Sequence, residues 1–540
     1  MRVGPGTFNG VSAGAVGVST PQPDFLPPTA ALTILDGISR DNNFGPCRNG
    51  NPCIIGDPIN VSTGNVYEHR EDLFITGRGL SLSLERSYNS QDNYQGPLGY
   101  GWTHTYNTNL KTNPDGSVTW MDHSGARLTF TRNADGSYSA PKGIYDRLTR
   151  NADGSYTLRN KDGVEWRFGA SGKLQKIADP NGNAITLAYD TAGRLAEITN
   201  TVGRKTNFSY DGAGRISTIT DPAGRTVRYI YSSAGDLVSV TDPLGQARTY
   251  EYDATHNMTA TVDPPDPGAP AGATGHRTTF VYDAQDRATS SYGENNADKV
   301  EVAYGIRKTH VKDSKGDRST FTYDNDGHVI RILDPYGNAI SYTWDGAGNM
   351  TSETDALGNK ITMKYDAAGN LTSMTKTPTG GTATTTAYTY NAAERMTKAS
   401  ATTFAYDKNG NMVSSTAGAT TTSYGYDFND LMTKAGARTY KRDALGRAIS
   451  STSGTTTTDY VFDGEEVIQQ QAGTSTPIYY ARGYDERIVN RRSGAGTPTY
   501  YHHDATGSVT GLSTAADALT NTYDAFGNWN CNGLMDTFSL

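Results

Sequence analysis

Tyr210-Asp211-Gly212-Ala213-Gly214-Arg215-Ile216, then Thr220-Asp221-Pro222-Ala223-Gly224, then an alternating run back to Tyr231: this stretch is written into the chain many times over. Tyr189, Tyr210, Tyr231 and Tyr252 stand 21 residues apart, and turn residues travel with them, as Asp190 and Gly193, Asp211 and Gly214, and Asp242, Pro243 and Gly245. The unit returns as Tyr323-Asp324 with Asp334, Pro335 and Gly337, as Trp344-Asp345 with Asp355 and Gly358, and as Tyr365-Asp366. A fixed period of this size is one supersecondary unit copied along an array. Such an array argues for a scaffold or container before it argues for an enzyme.

The period has a physical account. Asp211 to Gly214 and Asp221 to Gly224 both place Asp first and Gly fourth, and Pro222 adds the pre-set φ of the second position, so both fit type I turns. Two four-residue turns and two strands of about six residues make roughly twenty. Each repeat is therefore a β-hairpin, and successive hairpins pair side by side. In Arg225–Tyr231, Val227, Tyr229 and Tyr231 share one face while Thr226, Arg228 and Ile230 share the other. Neither face is wholly apolar, so the expectation is a single-layer sheet with no second sheet stacked on it, held by ladders of tyrosines stacking between neighbours. Such a sheet twists in one sense. The expected fold is all-β: antiparallel hairpins forming a curved, spiral, partly open β-shell. A wall of on the order of 5,000 Å² would leave a lumen about 15 Å in radius, enough for an open cup and barely enough to close on a small guest.

The array is uneven. Tyr252 to Tyr282 takes 30 residues because a turn has grown into Pro264–Pro270, and Thr-rich runs at 382–386, 420–422 and 455–458 read as drifted copies. Residues 1–45, with five prolines among glycines and serines, read as a flexible leader. Residues 46–130 differ in texture: Leu80, Leu82 and Leu84 alternate along one strand face, and Gly96-Pro97-Leu98-Gly99-Tyr100-Gly101-Trp102 reads as a ring-packed turn. Hairpins follow at Asp115-Gly116, Asp135-Gly136 and Asp153-Gly154. The expected organisation is a leader (1–45), a distinct β domain (46–130), the repeat shell (131–528) and a short tail (529–540).

Composition excludes several classes. The formal net charge of −8 and the lack of a basic run argue against nucleic-acid binding, Arg487, Arg491 and Arg492 being the densest cationic spot. No stretch approaches the ~20 apolar residues of a membrane span, and the N-terminus is not a convincing signal peptide. Cys47 and Cys53 form a local disulfide in an oxidising compartment or remain free thiols, and with no Cys or His beside them they make a poor zinc site.

The pattern Tyr-Asp-x-x-Gly-Arg/Asn-Leu…Thr-Asp-Pro-x-Gly resembles the YD repeat of Rhs proteins, the wall-associated proteins of Gram-positive bacteria and the teneurins. Pro58–Trp102, with Thr63-Gly64-Asn65, Arg86-Ser87-Tyr88-Asn89-Ser90 and Gly96–Trp102, is similar to the domain that opens the Rhs shell. Tyr501–Val509 and Tyr523-Asp524-Ala525-Phe526-Gly527 resemble family segments near its other end, so the likeness runs over roughly 46–528. It implies a β-strand cocoon housing a C-terminal toxin for delivery to rival cells, by a secreted or surface-exposed protein. In the family a core segment, often an aspartyl self-cleavage site, precedes the toxin. After Gly527 this chain departs from that pattern, and the expectation is a shell without its own core or toxin, whose guest comes from outside the chain.

Chemistry is sparse. His502-His503-Asp504 is the most tempting constellation, but adjacent strand residues point to opposite faces and cannot share a metal. The recurrent aspartates sit where turns want an Asx side chain. Without Gly-x-Ser-x-Gly, His-Glu-x-x-His or a phosphate loop the expectation is no catalysis and no cofactor. The alternative function is adhesion, with Trp120, Trp166 and Trp344 as exposed platforms for glycans; a partly folded, non-functional remnant is the third reading.

Overall fold

The computed structural model describes Phe44, Cys47 and residues 51–503 except 56–57, 76, 78, 266–273, 428–429, 444–445, 464–465 and 483–487, followed by the strand segments 509–513, 518–520, 522–523 and 529–530. For 463, 466, 482, 488–489 and everything after 500 only the backbone is described. Most of the leader and tail assigned from the sequence therefore lie outside the described residues.

Thirty-seven strands, from Arg147–Arg150 to Ala518–Thr520, pair antiparallel in strict chain order as one sheet. Its first and last strands are not partners, so the sheet is an open ribbon and not a barrel. The hairpin is set by its turn. Asp211 N–H donates to Arg215 O at 2.8 Å, Gly214 N–H donates to Asp211 O at 3.1 Å, and Gly214 has φ +84°. That is a type I turn closed by a left-handed residue, where glycine avoids the Cβ penalty. The register shifts between Ser209 and Tyr210, a bulge repeated between Ala188 and Tyr189 and between Ile230 and Tyr231. From Thr384 on, the opposite rim closes partly with two-residue turns such as Ala417 to Thr420 and Ser453 to Thr456, which is where the threonine runs fall.

The ribbon coils back on itself. Tyr145 OH donates to Asn349 Oδ1 (2.7 Å, 204 residues away), Lys161 Nζ to Asn370 Oδ1 (3.4 Å, 209 away) and Asn181 Nδ2 to Asn409 Oδ1 (2.8 Å, 228 away). In the last two, the turns on one rim of the first coil meet the Tyr-Asp turns of the second. The pitch of the spiral is thus one strand length.

One expectation fails. The face bearing Val227 and Tyr229 is not bare: it is buried in a core shared with Leu82, Leu84, Tyr88, Leu98 and Trp102. All but Leu98, which sits in the turn between Gln95–Gly96 and Gly99–Tyr100, come from a three-stranded sheet, Tyr67–Ile75, Leu82–Asn89 and Trp102–His104, which precedes the ribbon together with a four-stranded sheet over residues 109–139 and two short two-stranded ones. A face that is not wholly apolar still needs cover when its polar atoms are tyrosine hydroxyls at the ends of apolar rings. Tyrosine buries its ring when its hydroxyl finds a partner, and the opening segment supplies those partners. Tyr229 OH donates to Asp72 Oδ2 (2.8 Å), Arg86 Nη1 to Tyr250 OH (2.6 Å) and Trp102 Nε1 to Tyr252 OH (2.8 Å). Backbone seams add Ile216 N–H to Pro97 O and Ala288 N–H to Gly64 O.

Candidate functional site: the inner wall and its clamps

The repeat residues assemble a clamp. Asp211 Oδ1 accepts the N–H groups of Ala213 (2.9 Å) and Arg215 (2.8 Å), and Oδ2 accepts Arg215 Nε at 2.9 Å. The same guanidinium lies 4.4 Å from the ring centroid of Tyr231, whose hydroxyl donates to Ile216 O at 2.6 Å. One repeat earlier, Asp190 holds Arg194 (2.8 Å), which sits 4.5 Å from the Tyr210 ring, and Tyr210 OH donates to Leu195 O (2.7 Å). The ladder expected from stacked tyrosines is therefore a ladder of alternating rings and cations, because a guanidinium plane covers a ring and still satisfies its carboxylate. The residue four after the turn aspartate carries this clamp where it is arginine, and its recurrence as Arg194, Arg215 and Arg287 is the signal of it in the sequence.

Other members vary the parts. Tyr189 lies under Lys173 (5.3 Å) and donates to Leu174 O, and Tyr365 donates to Met350 O. After Tyr323-Asp324, His328 replaces arginine and stacks on Trp344 (4.7 Å), whose Nε1 donates to Val329 O at 2.9 Å. Asp366 caps Asn370 in place of an arginine. The carboxylates of Asp190 and Asp211 are held below the usual range: for Asp190 the Arg194 N–H leads, while for Asp211 burial opposes and the Arg215 hydrogen bonds and charge prevail. Burial pushes the Tyr210 hydroxyl up to about 12.

The opposite rim holds Asp221, Asp242 and Asp334, with Gly224, Gly245 and Gly337 at φ between +83° and +87°. Each aspartate accepts the N–H two residues on, beyond Pro222, Pro243 and Pro335, which occupy the first central position of their turns. Cys47 and Cys53 are disulfide-bonded with Cα atoms 6.0 Å apart. Within the loop they close, Asn51 Nδ2 donates to Gly327 O and its Oδ1 accepts Val329 N–H. His502 and His503 occupy one strand with a register shift between them, and Asp504 lies outside the described residues. The three tryptophans are half-buried: Trp120 Nε1 donates to Thr108 Oγ1, Trp166 packs against the core and Trp344 is engaged as above.

Two residues before each clamp tyrosine lies a second row on the inner face. In the first coil Phe208, Tyr229, Tyr250, Phe280, Phe321 and Tyr342 are all buried, the first four with the opening sheet in one core and the last two with Cys53 and Val61 in a second. In the second coil the same position starts with Met363, still buried with the second core, then carries Tyr388, Phe404, Tyr424, Tyr440 and Tyr460, all only half-buried, before Tyr480, which is buried again. Ser415 Oγ and Ser451 Oγ meet the hydroxyls of Tyr424 and Tyr460 at 3.0 Å, leaving ring surface uncovered. The chain's own opening segment thus fills the first coil, and the second presents an aromatic wall.

Three family models match in succession. A domain of unknown function, DUF6531, matches residues 56–130; the RHS Repeat matches 170–205, 189–226, 210–247, 231–264 and 323–360; and the Teneurin YD-shell matches 354–492. The chain is similar to the tRNA nuclease WapA of Bacillus subtilis (strain 168), 37% identical over 133 residues that make up 24% of this chain and 6% of the relative. It matches the tRNA(Glu)-specific nuclease WapA of Bacillus subtilis subsp. natto over the same extent. Among solved structures it is similar to TcdB2-TccC3 (TM-score 0.41, 12% identity, 83% of this chain and 30% of that one) and to the Photorhabdus luminescens Tc holotoxin pore (TM-score 0.41, 11% identity, 86% and 29%).

Proposed function

This chain belongs to the Rhs/YD-repeat family, and on that premise we propose that it is a structural shell whose second coil receives a polypeptide guest. The observation that carries the reading is the inner aromatic row: buried under the chain's own residues in the first coil, uncovered from Tyr388 to Tyr460 in the second. An unpaired aromatic face on a concave wall gains by burying a partner. A row of rings with serine and threonine between them suits a chain of varied sequence more than one small ligand.

In this reading the guest is a toxin or core segment supplied from outside this chain, the protein acts in competition between bacteria, and its role is architectural, not catalytic. Residues 46–130 serve as an internal plug of the first coil as well as an opening domain. A secreted or surface location accords with the Cys47–Cys53 disulfide, a bond that persists in oxidising compartments. Among the described residues no helix is long and apolar enough to cross a membrane.

The test is protection. The shell, mixed during refolding with a reduced, unfolded model polypeptide and then treated with protease, should shield the guest. Replacing Tyr388, Phe404, Tyr424 and Tyr440 with serine should abolish shielding while the first coil stays folded. Equal digestion of the guest with and without the shell would reject the reading.

A further inference from the structure

The seam between the coils carries two asparagines that share a chemical weakness. The chain has five Asn-Gly steps, at Asn9, Asn49, Asn181, Asn409 and Asn532. Of these, Asn181-Gly182 and Asn409-Gly410 are the two that lie among the described residues, and they meet: Asn181 Nδ2 donates to Asn409 Oδ1 at 2.8 Å across 228 residues. A glycine after asparagine lets the backbone nitrogen reach the side-chain amide most easily, because no Cβ hinders the approach. The other coil-to-coil asparagines, Asn349 and Asn370, are followed by the bulkier Met350 and Leu371.

A third residue fixes the polarity of the contact. Asn409 Nδ2 donates to Asp430 Oδ1 at 2.9 Å, and Asn411 Nδ2 donates to the same oxygen at 2.7 Å. An ionised carboxylate only accepts, so Asn409 turns its amino group to Asp430 and its carbonyl to Asn181. Asn181 must then donate. Neither asparagine can become an acid and keep this relay. At Asn409 a carboxylate would stand at hydrogen-bond distance from that of Asp430, where two like charges repel; at Asn181 it would face the carbonyl of Asn409. In the closed seam both reactive nitrogens are occupied, since Gly182 N–H donates to Asp179 O at 3.1 Å and Gly410 N–H to Asp407 O at 3.3 Å.

We propose that Asn181 and Asn409 form a paired deamidation site that converts a transient opening of the seam into a permanent one. Once the turn opens locally, the Gly410 nitrogen attacks Cγ of Asn409. An N–Cγ bond forms, the proton of that nitrogen passes to water, the Cγ–Nδ2 bond breaks and ammonia leaves. Water then adds to either carbonyl of the cyclic imide and opens it to aspartate or isoaspartate. The net change is amide plus water to acid plus ammonia, and the same steps apply at Asn181 with Gly182. The new charge holds the seam open, which exposes the second asparagine to the same reaction. The two sites are therefore coupled although 228 residues separate them. A neutral side chain at 409 would forfeit hydrogen bonds without adding repulsion. The inference depends on the coiled ribbon and not on what the shell contains.

The experiment is peptide mapping by mass spectrometry of the full chain held in mildly alkaline buffer, with conversion of Asn181 as the readout. In the parent it should be slower than in the same chain unfolded in guanidinium chloride. Asn409→Asp should speed it by about tenfold. Adding Asp430→Asn, which sets a donor against the new carboxylate, should return the parent rate. Hydrogen exchange of amides in 210–231, expected to be unchanged in both variants, separates seam opening from loss of fold. Conversion as fast in the folded parent as in denaturant, equal rates in the parent and Asn409→Asp, no rescue by Asp430→Asn, or a faster rate that comes with lost protection in 210–231 would each overturn the proposal.

Discussion

The guanidinium of Arg215 rests 4.4 Å from the ring centroid of Tyr231, sixteen residues on, while its Nε is held by Asp211 at 2.9 Å. One side chain therefore fastens its own turn and roofs the ring of the next hairpin. This couples consecutive hairpins without a thick core beneath them, and it explains why the motif reads Asp, Gly, Arg and then Tyr one repeat later.

Replacing Tyr231 by Phe keeps the ring under Arg215 but leaves Ile216 O without its hydroxyl donor. The expected cost is about 1–2 kcal/mol. Arrays open locally, so hydrogen exchange of amides in 210–231 is the proper readout. Arg215→Ala should cost a similar amount, and the double variant less than the sum of the two.

Gly172 and Gly182 both have positive φ, +82° and +87°, but differ in surroundings. A Cβ on Gly172 would stand 1.8 Å from Leu110 O, on the seam where Leu110 N–H meets Gly172 O, whereas one on Gly182 meets nothing within 4 Å. Gly182→Ala should cost about 1 kcal/mol from the backbone alone. Gly172→Ala should cost several times that and detach the four-stranded sheet, visible as new protease cleavage near Leu110.

Arg86 is buried with Asp72, its Nε within 2.9 Å of both carboxylate oxygens, and it lies 4.8 Å from the Trp102 ring centroid. Arg86→Met strands a buried carboxylate, and the expected loss is about 3–5 kcal/mol. The further change Asp72→Asn should recover much of it in urea unfolding followed by tryptophan fluorescence.

Two buried groups tilt stability in opposite directions with pH. Burial lowers His104 to about 3 from an ordinary 6.5. Between those values the unfolded chain takes up a proton that the folded chain refuses, so stability falls as pH drops through that window. Burial, and then Asp355, raise Glu353 to about 7 from 4.5. There the folded chain keeps a proton the unfolded chain has lost, so its contribution is lost as pH rises from 4.5 through 7. Glu353→Gln should therefore stabilise the protein at pH 8 and leave it unchanged at pH 4, as read by paired denaturant midpoints.

The hairpin array was legible because each turn is local: Asp, Gly and proline at fixed offsets specify a type I turn whatever lies nearby. The strand faces were legible too, since Val227 and Tyr229 alternate with Arg228 and Ile230. What covers those faces was not. The partners of Tyr229 and Tyr250 are Asp72 and Arg86, more than 150 residues earlier, and a period in sequence says nothing of what enters the coil from outside it. The coil-to-coil contacts of Tyr145 and Asn181 join one irregular or turn residue to another, and no pattern announces them.

The central claim is that one ribbon winds into a spiral, and the Asn181–Asn409 contact tests it most directly. Spin labels at Asn181→Cys and Asn409→Cys, measured by pulsed dipolar spectroscopy, should give one short, narrow distance distribution. A ribbon of the same paired strands laid flat would separate these sites by on the order of 100 Å. A long or broad distribution would contradict the coiled shell, and with it the inner wall on which the proposed function rests.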